Sequence, residues 1–249
     1  MRVVTPLKST ESQKNFNASG LVISNQVGIH PHLQKHLARH VASPWLAPLH
    51  QPTVDEFNSL WRSGIFAPDR TFNLDSGCGT GKSTRHLAQS FPEHLVIGAD
   101  RSQASLGKIG LCASSHLLDN CLLIRAELST LWRLLIQAGV SPGRHYLLYP
   151  NPSPKSRHLN RRWHGHPVFP QLLYLGGRIE MRCNWEVYAL EFAGAASYIT
   201  GKDIGVDRIH PEKGISPFEQ KYLDRGQALF SVVVSARTTA RYRQQQEPA

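Results

Sequence analysis

Between residues 71 and 183, short apolar runs alternate with longer stretches whose apolar positions recur at helical spacing. The runs Thr71–Asp75, Leu95–Asp100, Cys121–Arg125, His145–Tyr149 and Arg178–Cys183 have the length and continuous hydrophobicity of strands, and a sixth is predicted at Ala228–Val234. Helices are predicted between them at Lys82–Ser90, at Leu128–Ala138 with Leu131, Leu134 and Leu135 on one face, and at Trp185–Ala196. Strands and helices in alternation predict a mostly parallel sheet with helices on both faces, an α/β fold in three layers. The stretch from Thr200 to Pro217 is rich in Gly and charge, shows no period and is predicted as a surface loop; the final TTARYRQQQEPA is predicted to fray.

Upstream of about residue 70, Pro31, Pro44, Pro48, Pro52 and Pro68 cut the chain into short pieces. The predicted organisation is an N-terminal extension over 1–69 packed on a single domain at 70–236, with a tail at 237–249. His32, His36 and His40 recur every four residues and would stack on one helical face. No acid or Cys accompanies them, so the reading is an exposed basic face beside Lys35 and Arg39 rather than a zinc site.

A chain of 249 residues fits one domain with appendages. With 41% apolar and 18% charged residues it folds rather than staying disordered, so its excess charge sits on a packed surface. That excess is 28 Lys plus Arg against 18 Asp plus Glu, a net +10 before the 13 His are considered. Such a balance points to an anionic partner, nucleic acid ahead of a membrane surface. Cys78, Cys112, Cys121 and Cys183 form no C-x-x-C pair, which argues against a zinc site or a disulfide framework. No apolar run approaches the roughly 20 residues of a membrane span, and the first residues lack the apolar core of a signal peptide. The expectation is a cytoplasmic monomer without a metal.

The segment from Phe72 to Ser83 runs from strand through Gly77, Gly79 and Gly81 into helix, and alternate glycines let a backbone turn tightly against a ligand. A dinucleotide fingerprint needs a third Gly at 82 or 84, where Lys82 and Thr84 stand; a phosphate-binding P-loop needs Gly at 76, where Ser76 stands. Asp75 at the mouth would repel a triphosphate but could accept hydrogen bonds from the α-ammonium of S-adenosylmethionine. Asp100 ends the second strand, where a carboxylate can hold both ribose hydroxyls, and Glu127, just past the third strand, could border an adenine.

Beyond the fourth strand, Pro150, Pro152 and Pro154 stiffen a loop at the edge where a parallel sheet places its site. Lys155, Arg157, Arg161 and Arg162 follow, interleaved with His158, Trp163, His164 and His166, and no acid occurs from 155 to 179. The cluster is predicted to bind phosphates while Trp163 or a histidine stacks on a base.

In order, these segments resemble the tRNA (guanine-N7)-methyltransferase (TrmB) family over roughly residues 70–235. LDSGCGTG at 74–81 resembles its L-E-I-G-x-G-x-G, and VIGAD at 96–100 its strand ending in an acid. YPNPSPKSRHLNRRW at 149–163 resembles F-P-D-P-W-P-K-x-R-H-x-K-R-R, CNWEVYA at 183–189 resembles T-D-W-x-x-Y, and SPFEQKYLDRG at 216–226 resembles T-x-F-E-x-K-x-x-x-x-G. The resemblance implies a Rossmann-like, seven-stranded class I fold, S-adenosylmethionine as cofactor, and methylation of a guanine N7 in tRNA. It implies cofactor contacts at Asp75, Gly77, Gly79, Asp100 and Glu127, with Asn151 between cofactor and base in the catalytic position. Lys155 would hold the RNA backbone, and Asn184, Ser216 and Glu219 would line the substrate side. The chain departs from the family at three of these places: Asn151 and Asn184 replace aspartates, and Ser153 replaces the loop tryptophan. Guanine N7 carries a free lone pair, so the reaction does not depend on a general base, and an amide at 151 keeps one acceptor while losing a charge. The alternative reading is an RNA-binding relative with weak or altered transfer.

Overall fold

Parallel neighbours in a sheet cannot be joined by a tight turn, so each strand must be followed by a crossover that returns the chain to the same edge. The computed structural model, which describes residues 20–43, 45–67, 70–106 and 118–246, shows this arrangement. Strands β1 (Phe72–Ser76), β2 (Leu95–Asp100), β3 (Cys121–Arg125), β4 (Arg144–Leu148) and β5 (Arg178–Cys183) are parallel; β6 (Asp207–Ile209) and β7 (Leu229–Val234) complete a seven-stranded sheet ordered β3-β2-β1-β4-β5-β7-β6. β7 runs antiparallel to both neighbours, pairing Met181 with Val232 and Arg208 with Phe230. The order reverses at β1, which pairs Asp75 with Gly98 of β2 on one side and with Tyr146 of β4 on the other. Such a switch point opens a crevice at the carboxyl ends of the strands.

The helices are α1 (Leu33–Ala42), α2 (Gln51–Arg62), α3 (Lys82–Ser90), the single turn α4 (Gln103–Leu106), α5 (Leu128–Gln137), α6 (Phe169–Leu175), α7 (Glu186–Thr200), α8 (Pro217–Leu223) and α9 (Ala236–Gln246). One core unites α1, α2, α5, α6, α7 and α9 with the sheet through Leu37, Phe57, Trp132, Leu172, Phe192 and Tyr242. A smaller one joins α3 to the sheet through Leu87, Val96 and Tyr146. Thus the α/β fold expected from the alternation is present.

Three local expectations are corrected. Within the stretch read as a loop from Thr200 to Pro217, Asp207–Ile209 pairs with β7 as an edge strand; three residues, none buried, leave too short a pattern to read. The tail read as frayed forms α9 through Gln246, because Thr239 and Tyr242 bury one face, Thr239 Oγ1 donates to Gly177 O at 2.9 Å and Arg243 Nε donates to Tyr174 O at 2.9 Å. Pro52, read as a breaker, lies in the first turn of α2, where its missing N–H costs nothing. Cys112 lies outside the described residues, while Cys78, Cys121 and Cys183 are buried free thiols.

Candidate functional site

At the crevice, β1 ends in Asp75 and Ser76 and the glycine loop bends over β2, with Gly77 N and Cys78 N both donating to Ala99 O. Gly77, Gly79 and Gly81 have φ of 80°, 57° and 80°, backbone that L side chains rarely adopt. Their surroundings differ. A Cβ at Gly81 would lie 2.3 Å from Leu123 Cδ1, so this glycine serves packing; at Gly79 a Cβ would meet nothing within 4 Å, leaving bare backbone facing open space.

Asp75 sits beneath that loop with no exposure to solvent. Its Oδ2 accepts from Ser83 Oγ at 2.6 Å and Thr84 Oγ1 at 2.8 Å, both in the first turn of α3, while Oδ1 is buried without a partner. Burial pushes the carboxyl up to about 6; the two hydroxyls offset part of that shift and the negative charge of Asp100 adds to it. Asp100 stands at the end of β2, where Oδ2 accepts from Gly79 N and Oδ1 from Ser102 N, each at 2.8 Å. The structure therefore brings Asp75, Gly77, Gly79 and Asp100 together. Glu127 is engaged otherwise, as the N-cap of α5: it accepts from Ser129 N, Ser129 Oγ and Thr130 N. Burial alone would raise its carboxyl, but these donors outweigh it and hold the group below its usual range.

The loop after β4 is held in a strained shape. Tyr149 and Ser153, neither a glycine, have φ of 55° and 42°. Tyr149 is fixed at both ends, its N donating to Arg182 O and its hydroxyl to Glu219 Oε1 at 2.9 Å. Asn151 is exposed, and its Oδ1 accepts from Ser153 N at 3.1 Å, closing a short turn. Lys155, Arg157 and Arg161 are exposed.

The expectation for the rest of the basic cluster is corrected. Arg162 and His164 are wholly buried, paired with Glu191 of α7, and the Trp163 ring packs on Trp132 with centroids 4.8 Å apart. Arg162 and His164 are thereby closed off from a nucleic acid, because the counter-charge missing from the local sequence arrives from Glu191, 29 positions beyond Arg162, while Trp163 stays half-buried. Arg162 also stacks on Trp185 and donates to Ser153 O at 3.3 Å and Lys155 O at 3.4 Å, so it holds the strained loop from beneath. Of the α1 histidines, His40 is buried against Gly165 O and His36 bonds Asn160, so the row supports the loop rather than forming a uniformly exposed face.

On the other side, Ser216 caps α8 by accepting from Glu219 N, and Glu219 is wholly buried, accepting from Tyr149 Oη, Arg182 Nη1 and Ile215 N. Glu219 thus ties β4, β5 and α8 together and turns its carboxylate inward. Asn184 is half-buried with Nδ2 donating to Gln227 Oε1 at 2.9 Å. Sequence reasoning missed Ser83 and Thr84, which orient Asp75, and Glu191; the signal for Glu191 is a lone internal acid in the apolar helix α7. It also missed a buried relay in which Trp132 Nε1 donates to Ser76 Oγ, which lies 2.8 Å from His145 Nε2.

Among the described residues no helix is long and apolar enough to cross a membrane, and no cluster of His, Cys, Asp or Glu could hold a metal ion. Residues 69–231 match the family model described as "Putative methyltransferase". Two curated proteins, each a tRNA (guanine-N(7)-)-methyltransferase, are similar. That of Rubrobacter xylanophilus is 32% identical over 127 residues, 50% of this chain and 56% of the relative. That of Neisseria meningitidis is 26% identical over 167 residues, 66% of this chain and 69% of the relative. The chain thus spans little more than half the length of the first. Among solved structures, a 16S rRNA (adenine(1408)-N(1))-methyltransferase variant from Catenulisporales acidiphilia superposes with a TM-score of 0.50 at 16% identity, covering 78% of this chain and 97% of that one, and shares its fold.

Proposed function

Because the chain belongs to the methyltransferase family matched by its residues 69–231, we propose that it transfers a methyl group from S-adenosylmethionine to N7 of a guanine in tRNA, in the cytoplasm. The carrying observation is the bare Gly79 backbone above a buried carboxylate, Asp75, whose Oδ1 has no partner. The charge there suits a cationic ligand: Asp75 and Asp100 repel phosphate, no side chain covers Gly79, and an ammonium brought to the orphaned oxygen would satisfy it. The tRNA assignment rests on the names of the two relatives and on the ordered motifs.

In this reading Asp75, oriented by Ser83 and Thr84, receives the α-ammonium through its free oxygen. Asp100 keeps further lone pairs beyond its two backbone bonds and receives the ribose hydroxyls. Gly77 and Gly79 leave the backbone bare for the ligand, and Glu127 acts at one remove by fixing the start of α5 beside it. When bound, S-adenosylmethionine supplies a sulfonium methyl group that a guanine N7 lone pair can attack in line without loss of a proton. The chain's contribution is orientation. Asn151, at the tip of the strained loop, offers its amide oxygen to the purine edge as that ring becomes cationic, and Lys155, Arg157 and Arg161 hold the RNA backbone. Glu219 and Ser216 set the shape of the substrate side by holding Tyr149 and α8, and Asn184 contributes an amide there.

Calorimetry with S-adenosylmethionine and with ATP–Mg²⁺, followed by transfer of labelled methyl to unmodified tRNA, tests the reading. Binding of the first ligand alone, and label in RNA, are expected; binding of ATP–Mg²⁺ alone would contradict it.

A further inference from the structure

The buried residues of α3 are Ser83, Thr84, Leu87 and Ala88, which leaves Lys82, Arg85, His86 and Gln89 on the opposite face at helical spacing. These four form one wall of a cleft of about 500 Å³; the other wall is the segment from Lys213 to Asp224, which carries Ser216 and Lys221. Lys82, Arg85, Lys213 and Lys221 are exposed, and among the described residues none of them makes an ion pair. The single acid in the lining, Asp224, has its Oδ1 engaged by Gln220 Nε2 at 2.7 Å. Four permanent cations from two separate elements thus surround one concavity without a matching counter-charge, and a concave surface of one sign concentrates anions.

We infer that this cleft binds the phosphodiester backbone of the RNA substrate outside the target nucleotide. Two observations select a polyanionic chain over a lone phosphate. The charge exceeds what one phosphate can neutralise, and it is spread along both walls instead of converging on one point. The cleft also reaches the site from both sides: Lys82 follows directly on Gly81 of the glycine loop, and Ser216 starts the helix that holds Tyr149 through Glu219. A strand lying in it is led to the crevice that Asn151 overhangs. Of the four cations only Lys221 lies in a segment given to the substrate side from the sequence, at 216–226, and no role was assigned to it there; Lys82, Arg85 and Lys213 lie outside every such segment. The inference rests on the proposed action on tRNA and adds a second contact surface to it.

The test compares the 249-residue chain with an R85E/K213E/K221E variant, reading tRNA binding by fluorescence anisotropy across a KCl series and S-adenosylmethionine binding by calorimetry. The variant is expected to keep the cofactor affinity, to bind tRNA at least roughly tenfold more weakly at low salt, and to lose about 2–3 from the slope of log K against log salt, one contact per lost cation. Unchanged tRNA affinity and slope would overturn the inference while the methyltransferase reading stands. So would pyrophosphate binding that the variant loses while its tRNA binding persists, which would mark a small-anion site. A wild type that binds no tRNA at all would overturn both. Should charge reversal impair folding, seen as lost cofactor binding, R85Q/K213Q/K221Q carries the same comparison with a smaller change.

Discussion

Arg162 and Glu191 form an ion pair that solvent reaches from neither side, Nη1 of one against Oε2 of the other with both side chains fully buried. Glu191 also accepts from His164 Nε2, Gln26 Nε2 and His30 N, so one carboxylate gathers the N-terminal segment, the basic loop and α7. Burial raises this carboxyl, but His164 and Arg162 outweigh it and bring it down to about 2. Glu191→Gln removes the counter-charge and leaves a guanidinium buried, which is expected to cost about 3–5 kcal/mol. Denaturant titration checks the loss of stability. Arg162 holds Ser153 O and Lys155 O, so the KM for tRNA should rise in the same variant while the affinity for S-adenosylmethionine changes little.

Asp75 predicts opposite pH trends for binding and stability. Its carboxyl titrates near 6 in the folded chain against an ordinary 3.8. A cationic ligand requires the anion, so S-adenosylmethionine affinity should be full above about pH 6 and fall below it by up to about tenfold per unit. Because the folded value is raised, the stability Asp75 contributes to the free protein is complete below about pH 3.8 and lost as pH rises through about 6. Calorimetry over this range should show the decline, and Asp75→Asn should abolish it.

The glycine loop separates a packing glycine from a ligand-facing one. Gly79→Ala places a Cβ in open space at φ 57°, so the fold should survive with a loss of about 1–2 kcal/mol while cofactor binding is lost. Gly81→Ala drives a Cβ to within 2.3 Å of Leu123 Cδ1 at φ 80° and should cost more, about 2–5 kcal/mol. Thermal melts with and without S-adenosylmethionine distinguish the two.

Asn151→Asp keeps the acceptor for Ser153 N and adds a charge facing the purine as it becomes cationic. From the usual worth of a charged acceptor, kcat/KM should rise roughly tenfold to a hundredfold. Steady-state transfer kinetics check it, and an inactive variant would contradict the role given to this position.

The parallel strands were legible because each is a short apolar run bounded by turn residues; β6 was not, since three unburied residues paired along an edge carry no alternation. The glycine loop and its two acids could be read because a strand, a glycine turn and a helix are contiguous in sequence. The fate of the basic loop could not. An unbalanced run of cations reads the same whether solvent or a remote carboxylate balances it, and only the fold brings Glu191 to Arg162 and His164. Glu219 is similar: the motif marks the residue, but the folded arrangement turns it toward Tyr149 and Arg182. The Lys82–Arg85–His86 face was hidden for the opposite reason, because its cations gain meaning only once Lys213 and Lys221 stand across the cleft.

Methyl transfer to guanine N7 is decided by a nucleoside digest. Unmodified tRNA is incubated with the protein and labelled S-adenosylmethionine, then hydrolysed to nucleosides and resolved by chromatography with mass detection. Label is expected in 7-methylguanosine and is expected to be lost in the Asp75→Asn variant. Label in another nucleoside, or none with any tRNA while the cofactor binds, would contradict it.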